Sequence, residues 1–229
     1  MTARVAVLTF PGTNCDDDCA YVLRHVLGHE VLRVWHKDTT LPERLDGLVI
    51  PGGFSYGDYL RAGAIARFSP VMPSVKRFAE QGGPVLGICN GFQILLELGL
   101  LPGAMLKNES GRFVCKSVHL KVSRHDTRFT RGIEAGDLLR VPIAHAEGNW
   151  TCDDATWDRV RGEGMDLLRY CQADGTVDRA ANPNGARENI AGLINEQGNV
   201  LGLMPHPERC SEELLGGTDG RTLFTGLLS

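Results

Sequence analysis

A strand, a tight turn and a helix follow one another within residues 82–98, and the turn carries a single cysteine between two glycines. Residues 84–88 are a short apolar run typical of a buried strand, and residues 92–98 have apolar side chains at helical spacing. A sharp strand-to-helix turn needs residues without a Cβ where two backbone segments approach closely, and its middle residue projects at the tip. The pattern therefore predicts an α/β fold in which Cys89 projects from the end of a buried strand.

Cys89 at such a turn has the properties of a nucleophile. The N-terminal end of the following helix favours a thiolate over a thiol, and free backbone N–H groups of the turn can bind a developing oxyanion. The alternative is a small buried hydrophobic residue beneath the turn, which is common for unpaired cysteines. The turn alone does not decide between the two, so a base must be sought elsewhere in the chain.

Length and composition favour one large domain over residues 1–229 rather than two small ones. The net charge is −4 and the lysines and arginines form no block, which argues against nucleic acid or an anionic membrane as a partner. No apolar run approaches the length of a membrane span, and the N-terminus lacks the pattern of a signal peptide. We therefore expect a cytoplasmic protein.

Seven scattered cysteines cannot all pair, and their spacing is unlike a disulfide framework, so reduced thiols are expected. One metal site can be drawn from Cys15, Cys19, His25 and His29. No second cysteine pair at ligand spacing supports it, and on a helix these positions face partly different sides. We expect no metal site.

Apolar strands alternate with helical segments in the first hundred residues, which indicates a parallel sheet covered on both faces. The expected strands are 5–10, 31–35, 48–50 and 84–88, one helix ends at residue 27 before Gly28, and another is entered through residues 59–63 and ends at 79. Ligands of such folds gather at the carboxyl ends of the strands. The loop Gly52-Gly53-Phe54 follows the third strand, and its N–H groups can reach Cys89 if the third and fourth strands are neighbours. A plain tight turn is the alternative.

Shorter strands after residue 103 predict an antiparallel extension of the same core rather than an independent domain. A loop over residues 195–199 suits a hairpin. The expected strands are 113–122, 138–144, 167–171, 190–194 and 200–203, and an amphipathic helix is expected near 211–215.

His206 and Glu208 follow the last of these strands, with a proline on each side of the histidine. Prolines restrict this backbone toward extended conformations, in which residues two apart face the same side. Glu208 can then orient the imidazole and stabilise its charged form, so the pair together with Cys89 predicts a Cys-His-Glu triad. The alternative is an ordinary ion pair in a surface loop.

His145 is a competing base. It also follows a predicted strand, and Glu147 likewise lies two residues further on. The residues alone leave both histidines open, although the flanking prolines favour His206.

These motifs resemble the class I glutamine amidotransferases, whose cysteine turn and later His-x-Glu pair match Cys89, His206 and Glu208. The resemblance covers nearly the whole chain and is carried by residues 10–15, 52–66, 87–93, 182–185, 195–196 and 204–209. One departure is Ala146, where the family more often has glycine, so a positive φ is less expected there.

The resemblance implies a flavodoxin-like fold, which is a doubly wound, mostly parallel sheet with an antiparallel extension, in a single type 1 glutamine amidotransferase domain over 1–229. It implies that the Cys89 thiolate attacks the side-chain amide of glutamine, and that His206 acts first as base and then as acid to the departing ammonia. Water then releases glutamate from a thioester.

The resemblance also implies which groups bind the substrate. Backbone N–H groups of Asn90 and of the Gly52-Gly53-Phe54 turn would bind the oxyanion, and Gln93, one helical turn after the cysteine, would help to hold glutamine.

Ammonia is not the end product that the resemblance implies. The chain has no Gly-x-x-x-x-Gly-Lys-Ser/Thr loop for ATP, so no cofactor is expected in it. The similar proteins of purine biosynthesis pass ammonia to a large synthetase subunit, which assembles with a small third subunit and aminates formylglycinamide ribonucleotide with ATP and magnesium. Two other classes stay open, a cysteine hydrolase or protease of the same fold and a regulatory subunit in which Cys89 is inert.

Overall fold

Nine strands form one sheet and two more form a small ribbon in the computed structural model, which describes residues 2–229. The strands are β1 (Arg4–Thr9), β2 (Glu30–Trp35), β3 (Gly47–Ile50), β4 (Val85–Ile88), β5 (Ala104–Leu106), β6 (Val114–Val122), β7 (Leu138–His145), β8 (Asn149–Thr151), β9 (Leu168–Cys171), β10 (Ile190–Ile194) and β11 (Val200–Leu203). The α-helices are α1 (Asp16–Tyr21), α2 (Met72–Glu80), α3 (Asn90–Glu97), α4 (Asp154–Gly162) and α5 (Gly220–Leu227).

The first half of the large sheet is parallel. Strands β2, β1, β3, β4 and β11 lie side by side in that order, and every pair of neighbours is parallel. Strands β3 and β4 are buried at every position, as expected of strands that are covered on both faces. Because β3 and β4 are neighbours, the loop at Gly52 and the turn at Cys89 leave the sheet at the same edge.

The second half of the sheet is antiparallel and continues outward from β11 as β10, β9, β6 and β7. Strand direction alternates along this series, so β7 points the same way as β4 and β11. Its last residue, His145, therefore lies at the edge that carries Cys89 and His206.

The antiparallel half also curls back toward the parallel half. The backbone N–H of His206, just after β11, donates to the carbonyl of Pro142 in β7 at 2.8 Å. In a flat sheet the four strand spacings between β11 and β7 would separate these strands by ~19 Å. The curl therefore brings the end of β7 onto the loop that follows β11.

The predicted α/β class, with a mostly parallel sheet and an antiparallel extension, is confirmed. The loop over residues 195–199 joins β10 and β11 as an antiparallel hairpin, as predicted. The helix predicted to end before Gly28 begins as α1 and continues as a π-helical turn, Val22–Val26, and Gly28 follows with a φ of 75°.

Two helix predictions are wrong in position. The helix expected to lead from Gly63 to Ala79 is a 3-10 turn, Ala66–Phe68, followed by α2, because Ser69 precedes a proline and is held extended with ψ of 142°. The helix expected near 211–215 is only a 3-10 turn, Glu213–Leu215, and Gly216 ends it in the left-handed region. The sequence analysis also predicts none of α4, α5 and the β5–β8 ribbon.

All seven cysteines are unpaired in the part of the chain that the structure describes. No helix among residues 2–229 combines the length and the hydropathy that a membrane crossing requires.

Candidate active site

Cys89 forms the turn between β4 and α3 with φ of 49° and ψ of −102°. A left-handed φ strains a residue that carries a side chain, by about 1 kcal/mol or more, and such residues concentrate at functional sites. Helix α3 starts directly after the cysteine and packs tightly on β3, since a Cβ on Gly91 would overlap the carbonyl oxygen of Ile50. The predicted strand, turn and helix are confirmed, with the cysteine at the tip.

The side chain of Cys89 opens into a small cavity of about 70 Å³. Its Sγ lies 3.9 Å from the carbonyl oxygen of Ala144, near the end of β7. Loops from both halves of the sheet line the cavity, namely Gly53, Phe54 and Asp58 after β3, Cys89 and Gln93 after β4, and Ala144, His145, Ala146 and Glu147 at the end of β7.

His206 and Glu208 form the predicted pair, with Nδ1 and Oε1 2.6 Å apart and both residues buried. Burial acts to lower the pKa of His206, but the Glu208 carboxylate and the neighbouring Cys89 sulfur outweigh it and raise the pKa well above its ordinary value. The Nε2 atom of His206 has no hydrogen-bond partner among the described residues. This nitrogen therefore has no competing partner among these residues, and the Cys89 sulfur is close enough to be among the groups that raise the pKa of the ring.

Cys15 lies behind the imidazole of His206, with its Sγ 3.8 Å from Nδ1. The guanidinium of Arg209 donates to this sulfur at 3.2 Å. Gly52 makes the close approach possible, because a Cβ there would come within 2.8 Å of His206 Cε1. The sequence analysis placed Cys15 in the family motif but assigned it no role in the active site. The structure shows that it packs against His206.

The nearest arrangement to a metal site in residues 2–229 is the cluster of Cys15, His206 and Glu208, whose ligand atoms all lie within 4.8 Å of one another. The set considered from the sequence was Cys15, Cys19, His25 and His29, and only Cys15 is common to both sets. The positive charge of Arg209 at the sulfur opposes a cation in this place.

Backbone N–H groups of the turns after β3 and β4 remain free to bind an oxyanion. The N–H of Phe54 donates to the carbonyl of Gly12 at 2.8 Å, so it is not available, and Phe54 lines the cavity with its side chain. The N–H of Gly53 has no partner within residues 2–229, and the N–H of Asn90 belongs to the first turn of α3, where no helical carbonyl can accept it. The N–H of Gly52 has no partner within residues 2–229 either, so the free donors of the two turns are those of Gly52, Gly53 and Asn90, of which the last two are held by a backbone bridge and by the start of α3.

The side chains of Asn90 and Gln93 hold loops of the site together. Asn90 Oδ1 accepts from the N–H of Ser55 at 3.1 Å, and its Nδ2 donates to Gln93 Oε1 at 2.9 Å. Gln93 Nε2 donates in turn to the carbonyl of Glu147 at 2.6 Å. Gln93 thus lines the cavity and Asn90 supports it from behind, and together they link the parallel half of the sheet to the antiparallel half.

Asp58 and Glu147 are two cavity carboxylates that the sequence analysis did not assign to substrate. Burial, reinforced by the Glu147 carboxylate, raises the pKa of Asp58 to about 6. Two neighbouring carboxylates in one cavity favour a cationic group between them. Asp58 lies inside the family motif at 52–66, and Glu147 lies two residues after His145. These positions are the sequence signals from which both carboxylates could have been predicted as site residues.

His145 has the opposite environment to His206. Its Nδ1 lies 3.1 Å from Oδ1 of Asn108, a neutral amide, while the carboxylate of Glu147 accepts from the N–H of Ala62 at 3.3 Å. Burial, together with the positive charge of His206, lowers the pKa of His145 to about 4. The His-x-Glu spacing therefore produces an ion pair at one of its two occurrences and not at the other.

Comparisons with known proteins show the family to which the chain belongs. The family model of the CobB/CobQ-like glutamine amidotransferase domain matches residues 2–217. The chain is 57 % identical to phosphoribosylformylglycinamidine synthase subunit PurQ of Bradyrhizobium diazoefficiens over 224 residues, which are 98 % of this chain and 96 % of the relative. The PurQ subunit of Moorella thermoacetica is 56 % identical over 225 residues, 98 % of this chain and 95 % of the relative.

Solved structures give the same result. A chain in the structure of PurLQS from Thermotoga maritima superposes with a TM-score of 0.86 at 44 % identity, and the match covers 100 % of this chain and 98 % of that one. A glutamine amidotransferase from the same organism superposes with a TM-score of 0.58 at 16 % identity over 98 % of this chain and 80 % of that one, a likeness of fold alone.

Proposed function

Since this chain belongs to the CobB/CobQ-like glutamine amidotransferase family and, within it, to the relatives of the PurQ subunits, we infer that it works as the glutaminase subunit of phosphoribosylformylglycinamidine synthase in purine biosynthesis. The chain is a glutamine amidotransferase. We propose that Cys89, His206 and Glu208 are its catalytic triad. The observation that carries this assignment is the buried pair of His206 and Glu208 beside the strained turn of Cys89.

The reaction at this triad would proceed through a thioester on Cys89. His206, held by Glu208, takes the proton of the Cys89 thiol, and the sulfur attacks the carboxamide carbon of glutamine. The imidazolium then gives that proton to the nitrogen, the C–N bond breaks and ammonia leaves. His206 next takes a proton from water, which attacks the thioester. The C–S bond then breaks, glutamate leaves, and His206 returns the proton to the Cys89 sulfur.

The oxyanion that forms in both steps would be bound by the N–H groups of Gly53 and Asn90. These donors are fixed before substrate arrives, since a backbone bridge holds the first and the start of α3 holds the second. Preorganised donors of this kind contribute about 3 kcal/mol each to transition-state stabilisation in other hydrolases.

The amino-acid end of glutamine would lie toward Asp58, Glu147 and Gln93. The two carboxylates suit its α-ammonium group, and Gln93, which lines the same cavity one helical turn after Cys89, donates to the carbonyl of Glu147. In this orientation the carboxamide would lie at the sulfur, and the site would prefer a free amino acid over an internal residue of a peptide.

The ammonia would be used by partner subunits, because the sequence offers no ATP-binding loop. A large synthetase subunit, together with a small third subunit, would condense it with formylglycinamide ribonucleotide at the expense of ATP and magnesium. The seven unpaired cysteines suit a reducing compartment, and we propose the cytoplasm.

The test uses the complex reconstituted from this chain with its synthetase and third subunits. With formylglycinamide ribonucleotide, ATP and magnesium, Cys89→Ala should abolish synthesis driven by glutamine and leave synthesis driven by an ammonium salt intact. Cys115→Ala is the matched control, since Cys115 is an exposed cysteine on β6 outside the cavity, and it should retain both reactions. Loss of the ammonium-driven reaction in Cys89→Ala would refute the division of labour.

A further inference from the structure

We propose that Nε2 of His145 accepts a hydrogen bond from the carboxamide NH₂ group of bound glutamine and so orients the nitrogen that leaves as ammonia. The inference rests on the proposed glutaminase reaction at Cys89. It gives a substrate contact to the histidine that the triad does not use.

Asn108 decides which nitrogen of His145 carries the proton. The Nδ2 group of Asn108 donates to the carbonyls of Arg112 and His145, at 2.8 and 2.9 Å. Its Oδ1 atom is thereby turned toward the N–H of Gly148 and the Nδ1 of His145, at 3.0 and 3.1 Å. Since Oδ1 can only accept, Nδ1 must donate, and the neutral ring presents a lone pair at Nε2.

This lone pair is buried and has no partner. His145 is 3 % exposed, and its Nε2 makes no hydrogen bond within residues 2–229. A buried acceptor without a donor costs about 1–3 kcal/mol, so a ligand that supplies a donor is favoured at this nitrogen. His145 also lines the cavity into which Cys89 opens. A donor group of the substrate is therefore the expected partner.

The carboxamide NH₂ is the part of glutamine that needs an acceptor beside Cys89. When the C–S bond forms and the carbon becomes tetrahedral, the lone pair of the nitrogen must face the proton on His206 before the C–N bond can break. Its two N–H bonds must then point elsewhere. An acceptor for one of them at His145 fixes that rotation and favours proton transfer in the geometry that the reaction requires.

The neutral state of His145 suits the ammonia that follows. With a pKa of about 4, the ring has no proton to give at Nε2 near neutral pH. It can hold ammonia by a hydrogen bond without converting it to ammonium, and only the neutral molecule has the lone pair that a downstream amination needs. If the imidazole of His145 had a carboxylate partner, its pKa would be raised and it would protonate the ammonia.

The test compares an amide with an ester at the same carbon, in the reconstituted complex. L-Glutamine carries N–H donors on its leaving group, whereas the γ-methyl ester of L-glutamate carries none. His145→Leu removes the acceptor at similar volume and should lower kcat/KM for glutamine by about tenfold, while it lowers kcat/KM for the ester by less than about twofold. His145→Gln retains a side-chain oxygen that can accept, and its amide-to-ester ratio should lie nearer that of the wild type.

Asp58→Asn is the matched control. Both substrates carry the α-ammonium group, so this variant should lower kcat/KM for amide and ester alike. Equal losses on both substrates in His145→Leu, or no loss on either, would overturn the inference for His145 and leave the glutaminase assignment standing. A wild-type complex that releases glutamate from neither substrate would instead contradict the proposed function.

Discussion

The two halves of the sheet bring one histidine each to the edge that carries Cys89, and the two rings differ in their hydrogen-bond partner and in the direction of their pKa shift. The parallel half supplies His206 after β11, paired with a carboxylate and with a raised pKa. The antiparallel half supplies His145 at the end of β7, paired with an amide and with a pKa lowered to about 4. Both follow the His-x-Glu pattern in the sequence.

The two histidines differ because the glutamate two residues after each of them has a different hydrogen-bond partner. Glu208 lies in a 3-10 turn, Pro207–Cys210, and not in the extended segment predicted from the prolines, and its carboxylate reaches the histidine two residues before it. Glu147 instead reaches across to the N–H of Ala62 in the loop after β3. The same local pattern therefore gives a ring with a raised pKa in one half, which suits the proposed base, and a ring with a lowered pKa in the other, which suits the proposed acceptor. The partner of the imidazole, and not its burial, decides which role it can take, because both rings are almost fully buried.

The largest expected effect comes from the two glutamates. Glu208→Gln leaves the buried imidazolium of His206 without its counter-charge, so glutamate release should fall by about a thousandfold. Glu147→Gln is the matched change beside the other histidine and should cost about tenfold or less, through substrate binding. Steady-state glutaminase assays of both variants in the complex would test this, and a larger loss in Glu147→Gln would reverse the assignment.

The next effect concerns acid stability. The folded pKa of His145 lies below the unfolded value of about 6.5, so the unfolded chain binds more protons between pH 6.5 and 4, and the free energy of unfolding falls by about 3 kcal/mol as the pH drops through that window. His206 acts in the opposite sense, because its raised pKa stabilises the fold at low pH and that contribution is lost as the pH rises through the folded value.

The free energy of unfolding of His145→Gln should therefore fall less between pH 7 and pH 4 than that of the wild type. Urea unfolding of both proteins at the two pH values would measure it. Equal losses in the two proteins would show that His145 does not resist protonation in the folded state.

A smaller effect concerns the carboxylate that the parallel half adds to the cavity. Asp58→Asn should raise KM for glutamine by about tenfold, since one of two charges facing the α-ammonium group is removed. The wild-type KM should also rise as the pH falls below about 6, where Asp58 becomes protonated, and the variant should lack that rise. A pH-independent wild-type KM between 5 and 7 would exclude Asp58 from substrate binding.

The smallest effect is expected at Ala146, where the family more often has glycine. Its φ is not positive, so the alanine fits this backbone. Ala146→Gly should lower the free energy of unfolding by about 0.5–1 kcal/mol through the unfolded chain and change glutamate release by less than about twofold. Thermal unfolding with a parallel activity assay would show whether the loop at His145 depends on the alanine.

The local features of the parallel half could be predicted from the sequence because each is written in a few adjacent residues. The apolar runs before Gly52 and Cys89, the glycine at 91 and the prolines around His206 all act within a turn or a strand. The misplaced helix before α2 has a local cause as well, since Ser69 precedes a proline and is extended.

The antiparallel half depends on contacts between distant residues, and these could not be read from the sequence. Asn108 lies 37 residues before His145, and in the sequence it carries only a glycosylation-like triplet. The curl that brings β7 to His206 is equally a property of the whole sheet, visible in the bond between His206 and Pro142. The sequence therefore leaves both His145 and His206 open as the base, and it is their hydrogen-bond partners in the structure that distinguish them.

The most direct measurement is alkylation of Cys89 by a chloroketone analogue of glutamine, followed by the mass of the peptide that carries it. The reagent has no leaving NH₂ group, so it reports on activation of the sulfur and on binding alone. The account predicts that His145→Ala is alkylated at nearly the wild-type rate and that His206→Ala is alkylated at least about a hundredfold more slowly. Rapid alkylation in His206→Ala together with slow alkylation in His145→Ala would contradict it.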